Sequence, residues 1–260
     1  MSIYWIQLAL FSFLSLLPNA FSLPRESTKP PLFLLAGDST TATQAANGGG
    51  WGDGFLNTTL YHGAWGKNFG HNGATTVSFR EGGDWSRVIS TAKEYNDDYT
   101  PFVTIQFGHN DQKPAKNISI DEFSSNLQRM ATEVLRAGAT PILVTPLSRR
   151  NYDDSSGNPE IVEDLQDWRD ATINAAMNVQ SRYIDLNKES IEYLNSIGPE
   201  NAYTYNLNTD DHTHLNIEGS KVFGGMVAVL ILEEFPSLKH SVRVDSQLRK
   251  AIDNGQYYWP

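Results

Sequence analysis

The chain contains no cysteine among its 260 residues. Disulfide bonds, thiolate nucleophiles and cysteine–zinc sites are therefore excluded, and the fold must rely on its hydrophobic core. The sequence also lacks internal repeats and low-complexity tracts. Positive charge is scarce, because 20 Lys and Arg stand against 30 Asp and Glu and leave a formal net charge of −10. Nucleic acid and anionic membrane surfaces are consequently poor partners for this protein.

The first 22 residues, MSIYWIQLALFSFLSLLPNAFS, carry no charged side chain. Their apolar run breaks at Pro18, which makes it too short for a membrane span and typical of a secretory signal peptide. We therefore predict that residues 1–22 are a signal peptide and that the protein is secreted to the extracellular space; a buried N-terminal helix is the alternative. The sequons at Asn57 and Asn117 suit glycosylation of a secreted protein.

Apolar runs that end in turn residues alternate with helical patterns along the chain. Strands are predicted at 31–37, 64–70, 102–108, 140–146 and 182–186. Between them, apolar residues recur at helical spacing, as in Phe123, Leu127, Met130 and Val134. This alternation predicts an α/β fold in which a parallel sheet of five strands is covered by helices on both faces.

Polar residues follow the ends of these predicted strands, where parallel sheets bind their ligands. The segments are Gly37-Asp38-Ser39, Asn72-Gly73-Ala74, Gly108-His109-Asn110-Asp111 and, after a further helix, Asp211-His212-Thr213-His214. We expect these four loops to meet at one edge of the sheet.

The residue types in these loops suit acyl transfer. A serine such as Ser39 becomes nucleophilic when a histidine accepts its proton, and an aspartate orients that histidine. Asp211 and His214 are three residues apart, so one tight turn can join them, whereas Asp210 lacks this spacing. The backbone N–H groups of Ser39 and Gly73 and the side-chain amide of Asn110 are candidate donors to an oxyanion.

Other roles are open to some of these residues. A zinc site would use the three histidines His109, His212 and His214, but the nearby acidic residues have other uses, and we interpret this cluster as no metal site. We expect no metal and no cofactor, and we interpret His212 as a loop residue. Asp38 is expected to fix its own loop through hydrogen bonds, and His109 and Asp111 to shape the third loop.

The four segments GDS, NGATTVSF, GHND and DHTH, in this order, resemble the SGNH/GDSL hydrolase superfamily. Together with SFREGG they are most similar to rhamnogalacturonan acetylesterases, the group of carbohydrate esterase family 12. The resemblance implies a three-layer, flavodoxin-like α/β/α domain over residues 31–236, with residues 237–260 as an extension packed on it. It assigns Ser39, Asp211 and His214 as the catalytic residues, and Ser39, Gly73 and Asn110 as the oxyanion hole.

The resemblance also implies the function: removal of acetyl groups from a plant cell-wall polysaccharide, with pectic rhamnogalacturonan as the substrate. We expect a monomer whose partner is the acetylated polymer. The alternatives are a lipase, a thioesterase or a xylan acetylesterase of the same superfamily, and a degenerate polysaccharide-binding protein. The G-x-S-x-G motif of α/β-hydrolases is absent, because Thr41 occupies its last position. Ala74 stands where the subfamily leads us to expect arginine, and this departure concerns the substrate more than the chemistry.

Two further features have open interpretations. In the glycine-rich segment NGGGWGDGF (47–55), Trp51 either lines a sugar site or packs within a loop. Around the second polar loop, Lys67, Arg80 and Arg87 are expected to offset the repulsion between an acidic protein and an acidic pectin.

Overall fold

The computed structural model describes residues 29–260, so the signal peptide predicted at residues 1–22 lies outside the described residues. Its central feature is a parallel sheet of five strands in the order β2-β1-β3-β4-β7. The strands are β1 (Pro31–Gly37), β2 (Trp65–Asn68), β3 (Thr100–Gln106), β4 (Thr140–Val144) and β7 (Arg182–Ile184). The predicted five-stranded parallel sheet is confirmed, although β2 and β7 are shorter than their apolar patterns suggest. A small antiparallel pair, β5 (Tyr152–Asp153) and β6 (Glu160–Ile161), lies in the connection after β4.

Helices cover both faces of this sheet. They are α1 (Gly52–Thr59), α2 (Thr76–Glu81), α3 (Asp84–Tyr95), α4 (Ile120–Arg136), α5 (Gln166–Asn178), α6 (Leu186–Tyr203), α7 (Ile217–Glu234) and α8 (Ser246–Asp253). Helix α4 begins directly after Ser119, whose hydroxyl caps it by accepting a hydrogen bond from the Glu122 N–H. Helix α6 is broken at Gly198, whose φ is 74°.

The core is divided by the sheet into two layers. Successive residues of a strand point to opposite faces, so Phe33 and Leu35 of β1 pack on one side while Leu32 and Leu34 pack on the other. The first layer contains buried residues of α1, α6, α7 and α8, and the second contains those of α3, α4 and α5. A central strand buried on both faces explains why all seven residues of β1 are buried and why its sequence is continuously apolar.

The strand order determines where the polar loops meet. Strand β1 pairs with β2 on one side and with β3 on the other, so the direction of the strand order reverses there. In open α/β sheets, the crevice at such a reversal is the usual ligand site. Ser39 follows β1 and Asn110 follows β3, and the fold therefore brings these two residues to that crevice.

The glycine-rich segment (47–55) is a loop only in its first part. Helix α1 begins at Gly52, and Trp51, the residue before it, is completely buried. The interpretation of Trp51 as part of a sugar site is therefore wrong, because no face of its ring reaches solvent.

The last residues pack on the rest of the fold. Leu248, Ala251 and Ile252 of α8 are buried, and the Tyr205 hydroxyl donates a hydrogen bond to the Tyr258 carbonyl. Asn57 and Asn117 of the two sequons are both exposed, and their glycosylation stays a prediction. Among residues 29–260, none of the helices combines the length and apolarity that crossing a bilayer requires.

Candidate active site

Three residues that the sequence singled out form a continuous hydrogen-bonded chain. The Ser39 hydroxyl lies 2.9 Å from Nε2 of His214, although 175 positions separate the two residues. On the other side of the ring, Nδ1 lies 2.9 Å from Oδ2 of Asp211. This is the arrangement in which an imidazole can accept the serine proton while a carboxylate fixes its tautomer and orientation.

The Asp211 carboxylate is held by its own turn. Its Oδ1 accepts hydrogen bonds from the backbone N–H groups of Thr213, at 3.0 Å, and His214, at 2.8 Å. Partial burial by itself raises the pKa of Asp211, but these hydrogen bonds and the His214 ring outweigh it and hold that pKa below the usual value. Asp211 is therefore ionised over the neutral range, as the orienting group of an imidazolium must be.

Asp38 fixes the loop that carries Ser39, as expected. Its Oδ1 accepts hydrogen bonds from the N–H and the hydroxyl of Thr40, at 2.9 and 2.8 Å. Burial raises the pKa of Asp38 to about 6, although the bonds from Thr40 oppose this shift. Nδ1 of His109 lies 3.7 Å from the other oxygen of Asp38, and burial likewise holds the pKa of His109 well below its ordinary value. The low pKa of His109 keeps its ring neutral at neutral pH, so this side chain avoids an unpaired buried charge.

A buried glutamine below the serine loop completes its support. Oε1 of Gln106, at the end of β3, accepts hydrogen bonds from the Thr41 hydroxyl and from the indole N–H of Trp51, both at 2.6 Å. Nε2 of the same amide donates to the Thr40 hydroxyl at 3.1 Å. The amide thus joins three side chains that are each completely buried.

The expected oxyanion donors lie on the neighbouring loops. Gly73 has a φ of 79°, a left-handed conformation that favours glycine. The side chain of Asn110 is buried, and its Nδ2 donates a hydrogen bond to the Ala74 carbonyl at 3.1 Å, which joins the third loop to the second. Asp111 reinforces this junction, since its Oδ1 accepts bonds from the N–H and the hydroxyl of Thr76. The prediction that Asp111 shapes the loop agrees with these contacts.

One buried cation that supports the site was missed by the sequence analysis. Arg150 is completely buried; its Nε donates to Oδ1 of Asn206 at 2.5 Å, and its Nη2 donates to the His214 carbonyl at 2.6 Å. Burial lowers the pKa of Arg150 to about 10, so the guanidinium keeps its charge at neutral pH. Arg150 stands shortly after β4, where the rule applied to the ends of other strands would have found it.

The chain segments that follow Ser39 and His214 are joined by hydrogen bonds to backbone carbonyls. The Leu215 N–H donates to the Gly49 carbonyl at 2.9 Å, and the Ser220 hydroxyl donates to the Gly50 carbonyl at 2.6 Å. Helices α1 and α7 approach so closely that a Cβ on Gly54 would overlap the Ser220 carbonyl. We call this contact between residues 49–54 and 215–224 the glycine seam.

A polar groove of about 740 Å³ opens beside the triad. Every residue that lines it is polar: Arg149, Asn151, Asp164, Asn208, Thr209, Asp210, Asp211, His212, Thr213 and His214. His212 belongs to this wall and has no contact with the serine, because its ring stacks on Tyr203 and its Nδ1 contacts Asn151. Across residues 29–260, no group of three or more histidines and acids has the geometry of a metal site.

Two of the three cations expected to attract an acidic substrate are already paired. Arg80 forms a two-point ion pair with Glu133, with N–O distances of 2.8 and 3.0 Å, and Arg87 pairs with Asp84. The third, Lys67, lies over the ring of Phe69. Arg80 and Arg87 are thus paired with acidic side chains of the protein itself, and the attraction of a uronate to this region stays a prediction.

Fold and site together define a class of protein. A three-layer α/β fold presents, at the carboxyl ends of its strands, a serine hydroxyl bonded to a histidine that is bonded to an aspartate. The serine follows the first strand, and the histidine and aspartate come from a loop before the last long helix of the fold. This combination is that of a serine hydrolase built on a three-layer α/β fold.

Comparison with known proteins gives the family within this class. The model of the GDSL-like lipase/acylhydrolase family matches residues 35–222, and the chain belongs to this family. It is 30% identical, over 215 residues, to the rhamnogalacturonan acetylesterase RhgT of Bacillus subtilis (strain 168), covering 77% of this chain and 89% of that protein. The chain is accordingly a carboxylic ester hydrolase, which confirms the predicted family and class of enzyme.

Solved structures agree on the fold. The crystal structure of YxiM from Bacillus subtilis superposes with a TM-score of 0.66 at 24% identity, over 80% of this chain and 57% of that one. The acetylxylan esterase Axe2 from Geobacillus stearothermophilus superposes with a TM-score of 0.54 at 18% identity, over 80% of this chain and 94% of that one. At these identities, the likeness establishes the three-layer architecture.

Proposed function

We propose that this protein is a secreted carbohydrate esterase that removes acetyl groups from a plant cell-wall polysaccharide, with rhamnogalacturonan as the substrate. The observation that carries the proposal is the hydrogen-bonded chain from Ser39 through His214 to Asp211. The similarity of the protein to RhgT, a rhamnogalacturonan acetylesterase, supports the choice of polymer.

The proposed reaction proceeds through an acyl-enzyme. His214 accepts the proton of Ser39 as its Oγ attacks the acetyl carbonyl, and the resulting imidazolium is stabilised by Asp211. The oxyanion receives hydrogen bonds from the N–H groups of Ser39 and Gly73 and from the Asn110 amide. The sugar hydroxyl then leaves with the proton from His214, and a water activated by His214 hydrolyses the acetyl-serine.

The polar side chains that line the groove favour a carbohydrate ester over a long-chain lipid ester as the substrate. A long acyl chain needs an apolar channel, because burying it against polar groups gives no hydrophobic stabilisation and leaves those groups unsatisfied. The groove beside His214 offers only polar side chains. Hydroxyl groups of a polysaccharide can pair with such side chains, and we therefore favour the carbohydrate esterase over the lipase.

The proposal includes the setting in which the enzyme acts. The uncharged apolar stretch of residues 1–22 supports secretion, and an extracellular monomer meets its polymer without a membrane or a nucleic acid as partner. The same setting suits glycosylation at Asn57 and Asn117.

The decisive experiment measures acetate release from acetylated rhamnogalacturonan and from acetylated xylan, with p-nitrophenyl acetate and p-nitrophenyl palmitate as the short-chain and long-chain model esters. Wild type is compared with Ser39→Ala and with Ser90→Ala, a control at an exposed serine of α3. We expect release from rhamnogalacturonan and cleavage of the acetate ester, both lowered about 10⁴-fold or more by Ser39→Ala and unchanged by Ser90→Ala.

Each other result rejects a defined part of the proposal. Serine-dependent release from xylan alone would keep the triad and replace the substrate. A preference for the palmitate ester would indicate a lipase. Tight polysaccharide binding without turnover would indicate a binding protein, and full activity of Ser39→Ala would refute the mechanism.

A further inference from the structure

A lysine contacts the amide that the proposed mechanism places at the oxyanion. Nζ of Lys113 donates a hydrogen bond to Oδ1 of Asn110 at 2.6 Å. The two residues belong to one turn, in which the Lys113 N–H donates to the Asn110 carbonyl at 3.1 Å. The turn folds the lysine side chain back over Asn110, whose own surface is only 4% exposed.

The two partners of the Asn110 side chain determine which way its amide points. An ammonium group such as that of Lys113 only donates hydrogen bonds, so it must face the amide oxygen. The Ala74 carbonyl only accepts, so it must face the amide nitrogen. Both contacts select the same orientation and leave the second N–H of Nδ2 for another acceptor.

The lysine contact also changes the strength of that N–H as a donor. A cation on the carbonyl oxygen of an amide withdraws electron density from its nitrogen, and hydrogen bonds in such a chain strengthen one another. The effect grows where water is excluded, and Asn110 is buried. An amide polarised in this way is a better partner for a developing negative charge than an amide in water.

We propose that Lys113 is a positioning residue for ester hydrolysis, which locks and polarises the Asn110 amide so that its free N–H stabilises the oxyanion. This inference rests on the proposed function, because it assumes that Asn110 is an oxyanion donor. Lys113 touches neither the serine nor the histidine; it acts through Asn110.

The ordinary role of an exposed lysine is solvation, and surface charge contacts contribute little to stability. Lys113 differs in its partner, which is a buried neutral amide at the site. The charge of Lys113 also affects a buried residue of the same loop, His109. Burial is the main reason why the pKa of His109 is low, and the charges of Arg149 and Lys113 lower it further.

The test is a double-mutant cycle on p-nitrophenyl acetate, a small neutral ester that avoids any effect on polymer binding. The cycle compares wild type, Lys113→Met, Asn110→Ala and the double variant. Lys113→Arg serves as the conservative replacement. Lys116→Met is the matched control, because Lys116 is an exposed lysine of the neighbouring 3-10 turn, Pro114–Lys116.

We expect Lys113→Met to lower kcat about tenfold, a part of the loss of about 10²-fold that removal of a whole oxyanion donor causes. KM should change by less than about twofold, since the oxyanion forms after binding. Lys113→Arg should recover most of kcat, and Lys116→Met should resemble wild type. In the Asn110→Ala background, Lys113→Met should have no further effect, because the group through which it acts is gone.

The inference fails if Lys113→Met keeps wild-type kcat, or if it lowers kcat by the same factor in both backgrounds. It also fails if Asn110→Ala is as active as wild type. Should the Met variant not fold, Lys113→Gln, which keeps a donor without a charge, takes its place in the cycle. Failure of the proposed function is a separate result, because it would appear as turnover by Ser39→Ala.

Discussion

The buried amide of Gln106 offers the sharpest test of how the serine loop is held. In Gln106→Leu, the indole N–H of Trp51 and the hydroxyl of Thr41 both lose the acceptor that they share at 2.6 Å. Each buried donor without a partner costs about 1–3 kcal/mol, and the more apolar leucine offsets a part of this. We expect the variant to lose about 3 kcal/mol of folding free energy, a large share of the stability of about 5–15 kcal/mol that is typical of a native protein.

The assay is equilibrium unfolding in urea, followed by circular dichroism and by tryptophan fluorescence. Gln128→Leu is the matched control, because Gln128 is half-buried on α4 and its side chain bonds only to Ser124 of the same helix; the substitution should cost less than about 0.5 kcal/mol. Gln106→Glu keeps both acceptors but can carry a buried charge, so its stability should recover as the pH falls. A loss below about 1 kcal/mol for Gln106→Leu, equal to that of the control, would refute the reasoning.

Two further predictions follow from the site. Gly73→Ala and its matched control Gly198→Ala both place a Cβ in open space at a φ above 70°, so each should lose about 1 kcal/mol of stability in urea unfolding. Only Gly73→Ala should lower kcat, because alanine keeps the backbone N–H of residue 73 but its strain at a positive φ shifts that N–H away from the oxyanion. Equal kcat of the two variants would contradict this role of residue 73. Burial raises the pKa of Asp38 from 3.8 to about 6, and stability that depends on a raised pKa is present at low pH and lost as pH rises through the folded value. Wild type should therefore lose up to roughly 3 kcal/mol relative to Asp38→Asn between about pH 4 and pH 6, and parallel pH profiles in urea unfolding would exclude this.

The triad could be predicted because its signals are local. Ser39 directly follows a buried strand, and the spacing of Asp211 and His214 fits one turn. The rule that parallel strands end at a common edge then brings these distant segments together. The sheet was predictable for a similar reason, since a strand buried on both faces must be continuously apolar.

The parts that escaped prediction depend on contacts between distant residues. Helix α1 begins with Gly52-Asp53-Gly54, which indicates a turn on propensity alone. It is a helix because its glycines permit the close approach of α7, a contact that no local pattern encodes. The pairing of Arg80 with Glu133, 53 positions away, was equally invisible in the sequence. Arg150 is a different case, because it lies shortly after β4, and the end of a parallel strand is a local signal for a residue near the site.

The glycine seam has a consequence for how this chain can diverge. Gly54 and Gly224 contribute only backbone to the contact, so the approach of α1 to α7 at these two positions does not depend on the size of a side chain there. Core residues elsewhere can change in volume and be compensated by their neighbours, while the Ser39 hydroxyl and the His214 ring keep their separation. At the seam itself, no neighbour can compensate, because one added methyl group would meet backbone on the opposite side. Tolerance to mutation is thus distributed unevenly, and the strictest positions of the seam, Gly54 and Gly224, are ones with no side chain to conserve.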